Sequence, residues 1–236
     1  MPKITLNKKD TLKLIGKAIS DKQLSGAIPL IGTDLEKITK NEIEVEIFPN
    51  RPDMLSEEGF ARALSSFLGI KTGLKAYKVN KSNYKYKVDS KVKRIRPYCT
   101  AAIVKGLKFD KVSLAAIMNL QDKLHTTHGR NRKKVAMGVH DLSKIKFPLT
   151  YTTKPKSFKF RALEDKQEKT IQKILEEHPK GKDYAHLLNK SEVPIWMDAN
   201  NQVLSMPPII NSEETKVTLN TKEVFLDITG TDPIAM

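Results

Sequence analysis

The chain has 236 residues, 39% of them hydrophobic, enough to bury one large core or two modest ones without disulfide or metal staples. Against 27 Asp and Glu stand 42 Lys and Arg, a net charge of +15 at pH 7 that favours a polyanion such as nucleic acid as partner, although lysine-rich composition alone gives the same number and clustering has to decide. One cysteine, Cys99, excludes an intrachain disulfide and a CxxC metal site. No apolar run approaches the roughly 20 residues that span a bilayer, and Met1 to Leu6 lacks a signal-peptide core, so the expectation is a cytoplasmic protein with no membrane partner and no metal.

In chain order, Asn7 is a candidate cap for a short helix carrying Leu12, Leu14 and Ile15 and stopped by Gly16. Glu42 to Ile47 alternates charged and β-branched residues at period two, which predicts a strand with one buried face. Phe48 to Asp53 reads as a turn, with Asn50, Arg51 and Asp53 cross-linking it and Pro52 fixing its geometry. Ser56 then caps a helix whose stripe is Phe60, Ala63, Leu64, Phe67 and Leu68, ending at Gly69.

The lysine-rich stretch from Tyr77 to Lys93 reads as a linker running into a strand, with a domain boundary near Lys81. Beyond it, Cys99 to Val104 is a candidate buried strand, and Ser113 a cap for a helix ending near Gly129. Further strands are expected at Val135 to Val139, Leu149 to Thr152, Pro194 to Met197, Lys216 to Leu219 and Glu223 to Ile228, with a helix around Lys169 to His178. This mixed order predicts an α+β chain: a small N-terminal α/β domain over residues 1–80 and a larger mixed-sheet domain over 81–236.

The run Arg130-Asn131-Arg132-Lys133-Lys134 places four cations in five residues beyond a helix end, a candidate phosphate contact or else a solvated turn. Lys91, Lys93, Arg94 and Arg96 could extend that patch.

Five blocks, in order, resemble the beta subunit of the archaeal and eukaryotic phenylalanyl-tRNA synthetases: Asn50 to Arg62, Ile95 to Tyr98, Gly129 to Asp141, Leu204 to Ser212, and Thr218 to Asp232. The resemblance spans essentially the whole chain and implies the N-terminal half of that subunit, including its amino-acid editing domain. Family subunits continue past this point into parts that meet the alpha subunit, so the resemblance also implies that this chain does not charge tRNA by itself.

The activity implied by the resemblance is hydrolysis of the ester joining a wrong amino acid, tyrosine, to phenylalanine tRNA. A pocket shaped for phenylalanine cannot strongly reject one extra hydroxyl, and a second sieve is the remedy. An aminoacyl ester is already activated, so a positioned water suffices; the sequence has no G-x-S-x-G elbow and no H-E-x-x-H motif.

By position in the matched blocks, Ser205 and Asn211 are the candidate catalytic residues. Trp196, Leu204, Pro207, Pro208, Ser212, Asn220 and His140 are the candidate substrate contacts, and Arg130, Arg132, Lys133 and Lys134 the candidate tRNA contacts. Trp196 is open between a pocket wall and a core residue, and His140 between general base and structural histidine. The partners implied are phenylalanine tRNA, the alpha subunit and the remainder of the beta subunit. Editing needs no cofactor; ATP and magnesium belong to the full synthetase and are not expected on this chain. The alternatives are a non-catalytic tRNA-binding or subunit-assembly module, and a general RNA-binding protein.

Overall fold

The computed structural model describes residues 3–236 and is α+β. Its contacts divide into two compact units, one of residues 1–80 with 118–128 and the other of residues 81–117 with 129–236. The terminal Met1 and Pro2 lie outside the described residues.

In the first unit, β1 (Lys3–Asn7), α1 (Lys8–Ile15), α2 (Asp21–Ala27), β2 (Thr33–Ile38), β3 (Glu42–Ile47) and α3 (Glu57–Phe67) follow in order. The alternation of Glu42 to Ile47 places β3 at the centre of an antiparallel sheet ordered β1-β3-β2, with Ile43, Val45 and Ile47 wholly buried. Each such aliphatic side chain contributes roughly 1.5–3 kcal/mol relative to exposure. Phe60 and Leu64 of α3 close the same core, and the Asn7 and Ser56 side chains accept from the backbone of Asp10 and Gly59 as caps. Arg51 forks onto Asp53 through two 2.9 Å bonds and also donates to the Ile31 carbonyl, so these polar residues cross-link the turn.

The second unit holds β4 (Tyr86–Val88), β5 (Tyr98–Val104), most of the first half of α4 (Lys111–Thr126), β6 (Val135–Asp141), β7 (Leu149–Pro155), β8 (Lys159–Phe160), β9 (Lys169–Thr170), α5 (Ile171–Glu177), α6 (Pro179–Tyr184), β10 (Glu192–Met197), β11 (Val203–Met206), β12 (Ile210–Asn211) and β13 (Val224–Gly230). One sheet is ordered β12-β11-β10-β7-β4, and a second, three-stranded sheet has β13 between β5 and β6. They share a core in which Tyr151 and Trp196 of the first sheet meet Phe225 of the second.

Three expected elements differ. Strand β5 forms, but none of its residues is buried, because it is an edge strand that alternates exposed and half-buried positions. Helix α4 begins before Ser113: Asp110 Oδ1 accepts from the Ser113 backbone and Ser113 Oγ from that of Asp110, a reciprocal cap that starts the helix at Lys111, and it ends at Thr126. Lys216 to Leu219 is not a strand, because Thr218 and Thr221 bond each other's backbone and turn the chain before β13.

Candidate functional site

Strand β13 is an apolar run interrupted by one carboxylate. Because β-strand side chains alternate, Phe225, Asp227 and Thr229 share the face turned to the five-stranded sheet, and cross-strand pairing sets Asp227 opposite Gly138 of β6 and Ala101 of β5. The neighbouring pair brings His140 opposite Phe225.

Asp227 is 2% exposed and three donors converge on it. Ser205 Oγ is 2.6 Å from Oδ2, His140 Nε2 is 2.9 Å from the same oxygen, and the Gly138 N–H reaches Oδ1 at 3.1 Å. A carboxylate only accepts, so the facing Nε2 donates, and on the other side of the ring Nδ1 lies 2.8 Å from the Thr215 hydroxyl. Three donors, with Thr215 behind the imidazole, thus fix one buried acid, the condition under which a buried charge is tolerable.

A β-bulge aims Ser205. Trp196 pairs with Ser205 and Met197 with Val203, which leaves Leu204 as the extra residue on β11. Leu204 therefore joins Trp196 in the core between the sheets while Ser205 still reaches Asp227. Asn211, on the edge strand β12 and paired with Ser205, is the half-buried member of the group; its Nδ2 donates to the Val139 carbonyl at 3.4 Å.

Gly138 is where the group packs closest to backbone. A Cβ built there would lie 2.6 Å from His140 Nε2, 2.8 Å from Asp227 Oδ2 and 3.0 Å from Asn211 Oδ1. Only glycine lets these three polar side chains close over the strand.

The structure therefore gathers Ser205, His140 and Asn211, and adds Asp227 and Gly138, which are not among the candidates read from sequence. The signal for Asp227 was available: an acid at an inward position of an apolar strand needs partners. Trp196 is core, fully buried and stacked on Tyr151 at 4.9 Å, with its indole N–H unpartnered; Leu204 packs beside it. Those two line no open surface. Ser212 is also buried and caps the Glu214 backbone, while Asn220 sits exposed in a turn. Pro207 and Pro208 are buried, joined by a cis peptide.

The basic run behaves differently from the expectation of four phosphate contacts. Arg132 is 7% exposed: its guanidinium donates to the carbonyls of Pro208 at 3.3 Å and Ile209 at 2.7 Å and lies over the Tyr184 ring. It is a brace for the turn between β11 and β12, so it does not face phosphate. Lys134 pairs with Asp232 at 2.7 Å, whereas Arg130 and Lys133 are exposed. Beneath the loop, Arg96 donates to Thr229 Oγ1, to the Thr229 carbonyl and to the carbonyls of Arg132 and Lys133. Burial pulls its guanidinium below the ordinary arginine range, with Tyr151 and Asp227 opposing that shift.

Among the described residues no group of three His, Cys, Asp or Glu side chains is placed to hold a metal ion, and no helix is long and apolar enough to cross a membrane.

With this geometry in view, residues 81–236 match the B3/4 domain family. The whole chain is 45% identical over 233 residues to the phenylalanine–tRNA ligase beta subunit of Archaeoglobus fulgidus, covering 98% of this chain and 42% of that protein. It is 42% identical over 237 residues to the corresponding subunit of Methanospirillum hungatei, covering 100% of this chain and 43% of that one. The chain thus spans less than half the length of these curated relatives. Among solved structures it is similar to the crystal structure of an N-terminal fragment of the phenylalanyl-tRNA synthetase beta subunit from Pyrococcus horikoshii, with a TM-score of 0.93, 41% identity, and coverage of 100% of this chain and 70% of the fragment.

Proposed function

We propose that this chain, which belongs to the family of phenylalanyl-tRNA synthetase beta subunits and carries a B3/4 domain over residues 81–236, hydrolyses the ester of a wrong amino acid, tyrosine, on phenylalanine tRNA. The observation that carries this reading is the meeting of Ser205, Asp227 and His140 from three separate strands, with Asn211 at its half-buried edge.

In this reading water attacks the ester carbonyl carbon. Asp227 takes the proton of that water through the Ser205 hydroxyl, the carbon–oxygen ester bond breaks, and the proton passes to the departing ribose oxygen. His140, held by Thr215, is a positioning residue that keeps the carboxylate in place. Asn211 supplies an amide with both donor and acceptor to the phenol or the carbonyl, so a substrate lacking the hydroxyl would leave a polar group unmatched. No serine acyl intermediate is required, because Ser205 contacts an acid and not the imidazole that activates serine nucleophiles.

The test is release of amino acid from phenylalanine tRNA esterified with tyrosine or with phenylalanine. Fast decay of the tyrosyl ester alone, lost in Asp227→Asn, is the expected result. Equal slow decay of both esters defeats the reading and leaves a non-catalytic tRNA-binding module. The alpha subunit and the rest of the beta subunit are proposed partners for aminoacylation.

A further inference from the structure

The second unit has a cleft of about 700 Å³ away from the Asp227 cluster, lined by the 3₁₀ helix Ser90–Arg94 on one side and by Lys190 and Ser191 on the other. Four cations rim it: Lys91, Lys93, Arg94 and Lys190, all exposed. Val92, between them in sequence, is wholly buried in the core and anchors the turn, so the cations stand on a fixed base. In a 3₁₀ turn residues three apart share a face, which aligns Lys91 with Arg94.

Two carboxylates stand beside this rim, Asp89 and Glu192, the second of them lining the cleft, and both are held by neutral donors. Asp89 accepts from the Lys91 N–H at 3.0 Å and from the Thr152 hydroxyl at 2.9 Å, and Glu192 accepts from the Thr153 hydroxyl at 2.7 Å. None of the four cations forms an ion pair with a described carboxylate.

We infer that this cleft holds the phosphodiester backbone of an RNA strand. Three lysines and an arginine spread over two facing segments act as separate point charges, which suits a row of phosphates better than one phosphate needing a converging, bidentate grip. The Ser90 and Ser191 hydroxyls supply neutral donors to the same groove. Strand β10 links the cleft to the catalytic cluster: Glu192 opens the strand and Trp196, four residues on, pairs with Ser205, a distance of roughly 13 Å. One strand can reach both. The inference takes its RNA ligand from the proposed function, yet the two fail separately.

The experiment is fluorescence anisotropy of a labelled short single-stranded RNA titrated with the full chain over a range of salt. The variant Lys91→Gln/Lys93→Gln/Arg94→Gln/Lys190→Gln is compared with Lys13→Gln/Lys17→Gln/Lys22→Gln/Lys40→Gln, which removes equal charge from exposed positions of the first unit. The cleft variant is expected to bind about tenfold or more weakly, with the salt slope reduced by about 0.7 for each phosphate no longer neutralised, and the control to change less than about threefold. The single variants Lys93→Gln and Lys190→Gln should each give part of the loss.

Equal losses in the two quadruple variants would overturn the inference, as would displacement of the RNA by pyrophosphate as readily as by unlabelled RNA at matched ionic strength, which marks a small-anion site. Cleft-dependent binding without ester hydrolysis sinks only the hydrolase reading, and hydrolysis with binding indifferent to the cleft sinks only this one.

Discussion

The Ser205 hydroxyl donates to Asp227 at 2.6 Å across the space between two sheets, joining residues that no local sequence pattern connects. The bond makes distinct predictions for the two partners. Replacing Ser205 by Ala removes one donor and the proposed proton relay, while Asp227→Asn removes the acid on which Gly138, His140 and Ser205 all converge. The hydrolysis rate should fall about 100-fold or more in Asp227→Asn and less in Ser205→Ala, within the range seen when a preorganised polar group is deleted. Unfolding by urea should also show Asp227→Asn as the less stable of the two, because an amide cannot accept from three donors. An Asp227→Asn rate equal to that of the unaltered chain would remove Asp227 from the chemistry.

Gly138→Ala is a test of close packing. The added methyl would stand within 3.0 Å of His140, Asp227 and Asn211 polar atoms, all of them on side chains held by other bonds. The expected outcome is about 1–3 kcal/mol lost in urea unfolding together with loss of hydrolysis. A variant of undiminished stability would mean that the cluster shifts freely, which its hydrogen bonds argue against.

Arg130, Asn131 and Arg132 all have left-handed backbones, with φ of 50°, 52° and 65°. For the two arginines this costs roughly 1–2 kcal/mol each, and less for asparagine, which adopts the left-handed region more readily. The Arg132 side chain offsets part of this by holding the Pro208 and Ile209 carbonyls. Arg132→Ala should therefore destabilise the protein by about 3 kcal/mol, from two charged hydrogen bonds and the stacking on Tyr184. Arg130→Gln and Lys133→Gln, at exposed positions, should stay within about 0.5 kcal/mol of the unaltered chain. Similar stability for all three variants would contradict the bracing role.

These residues also show where the sequence was legible. Period-two alternation in Glu42 to Ile47 and the caps at Asn7 and Ser56 are local patterns with local causes, and they were readable. Lys3–Asn7 alternates over only five residues and Thr33–Ile38 has a single buried residue, so these edge strands signal weakly, and their sheet exists because β3 lies between them. The four cations of residues 130–134 are alike as letters; the left-handed backbone turns one inward and leaves others outside. His140 and Ser205 lie 87 and 22 residues from Asp227, so their convergence is a product of strand pairing that periodicity cannot report.

Cys99 provides a chemical readout of that buried charge. It lies opposite Thr229 on β5, on the face carrying Ala101 and Asp227, and burial pushes its thiol up to about 11, with Asp227 adding to the shift and the Tyr86 hydroxyl opposing it. An unfolded thiol titrates near 9, so between about 9 and 11 the folded chain binds the extra proton. The associated stability is fully present below about 9 and is lost as pH rises through about 11. The thiolate is the nucleophile, so a shift of this size makes alkylation by iodoacetamide at pH 8 about 100-fold slower than for a free cysteine. The rate should climb toward a midpoint near 11, and Asp227→Asn should move that midpoint down because one negative charge has gone. A midpoint unmoved by Asp227→Asn would show that the carboxylate does not reach the thiol across β5 and β13.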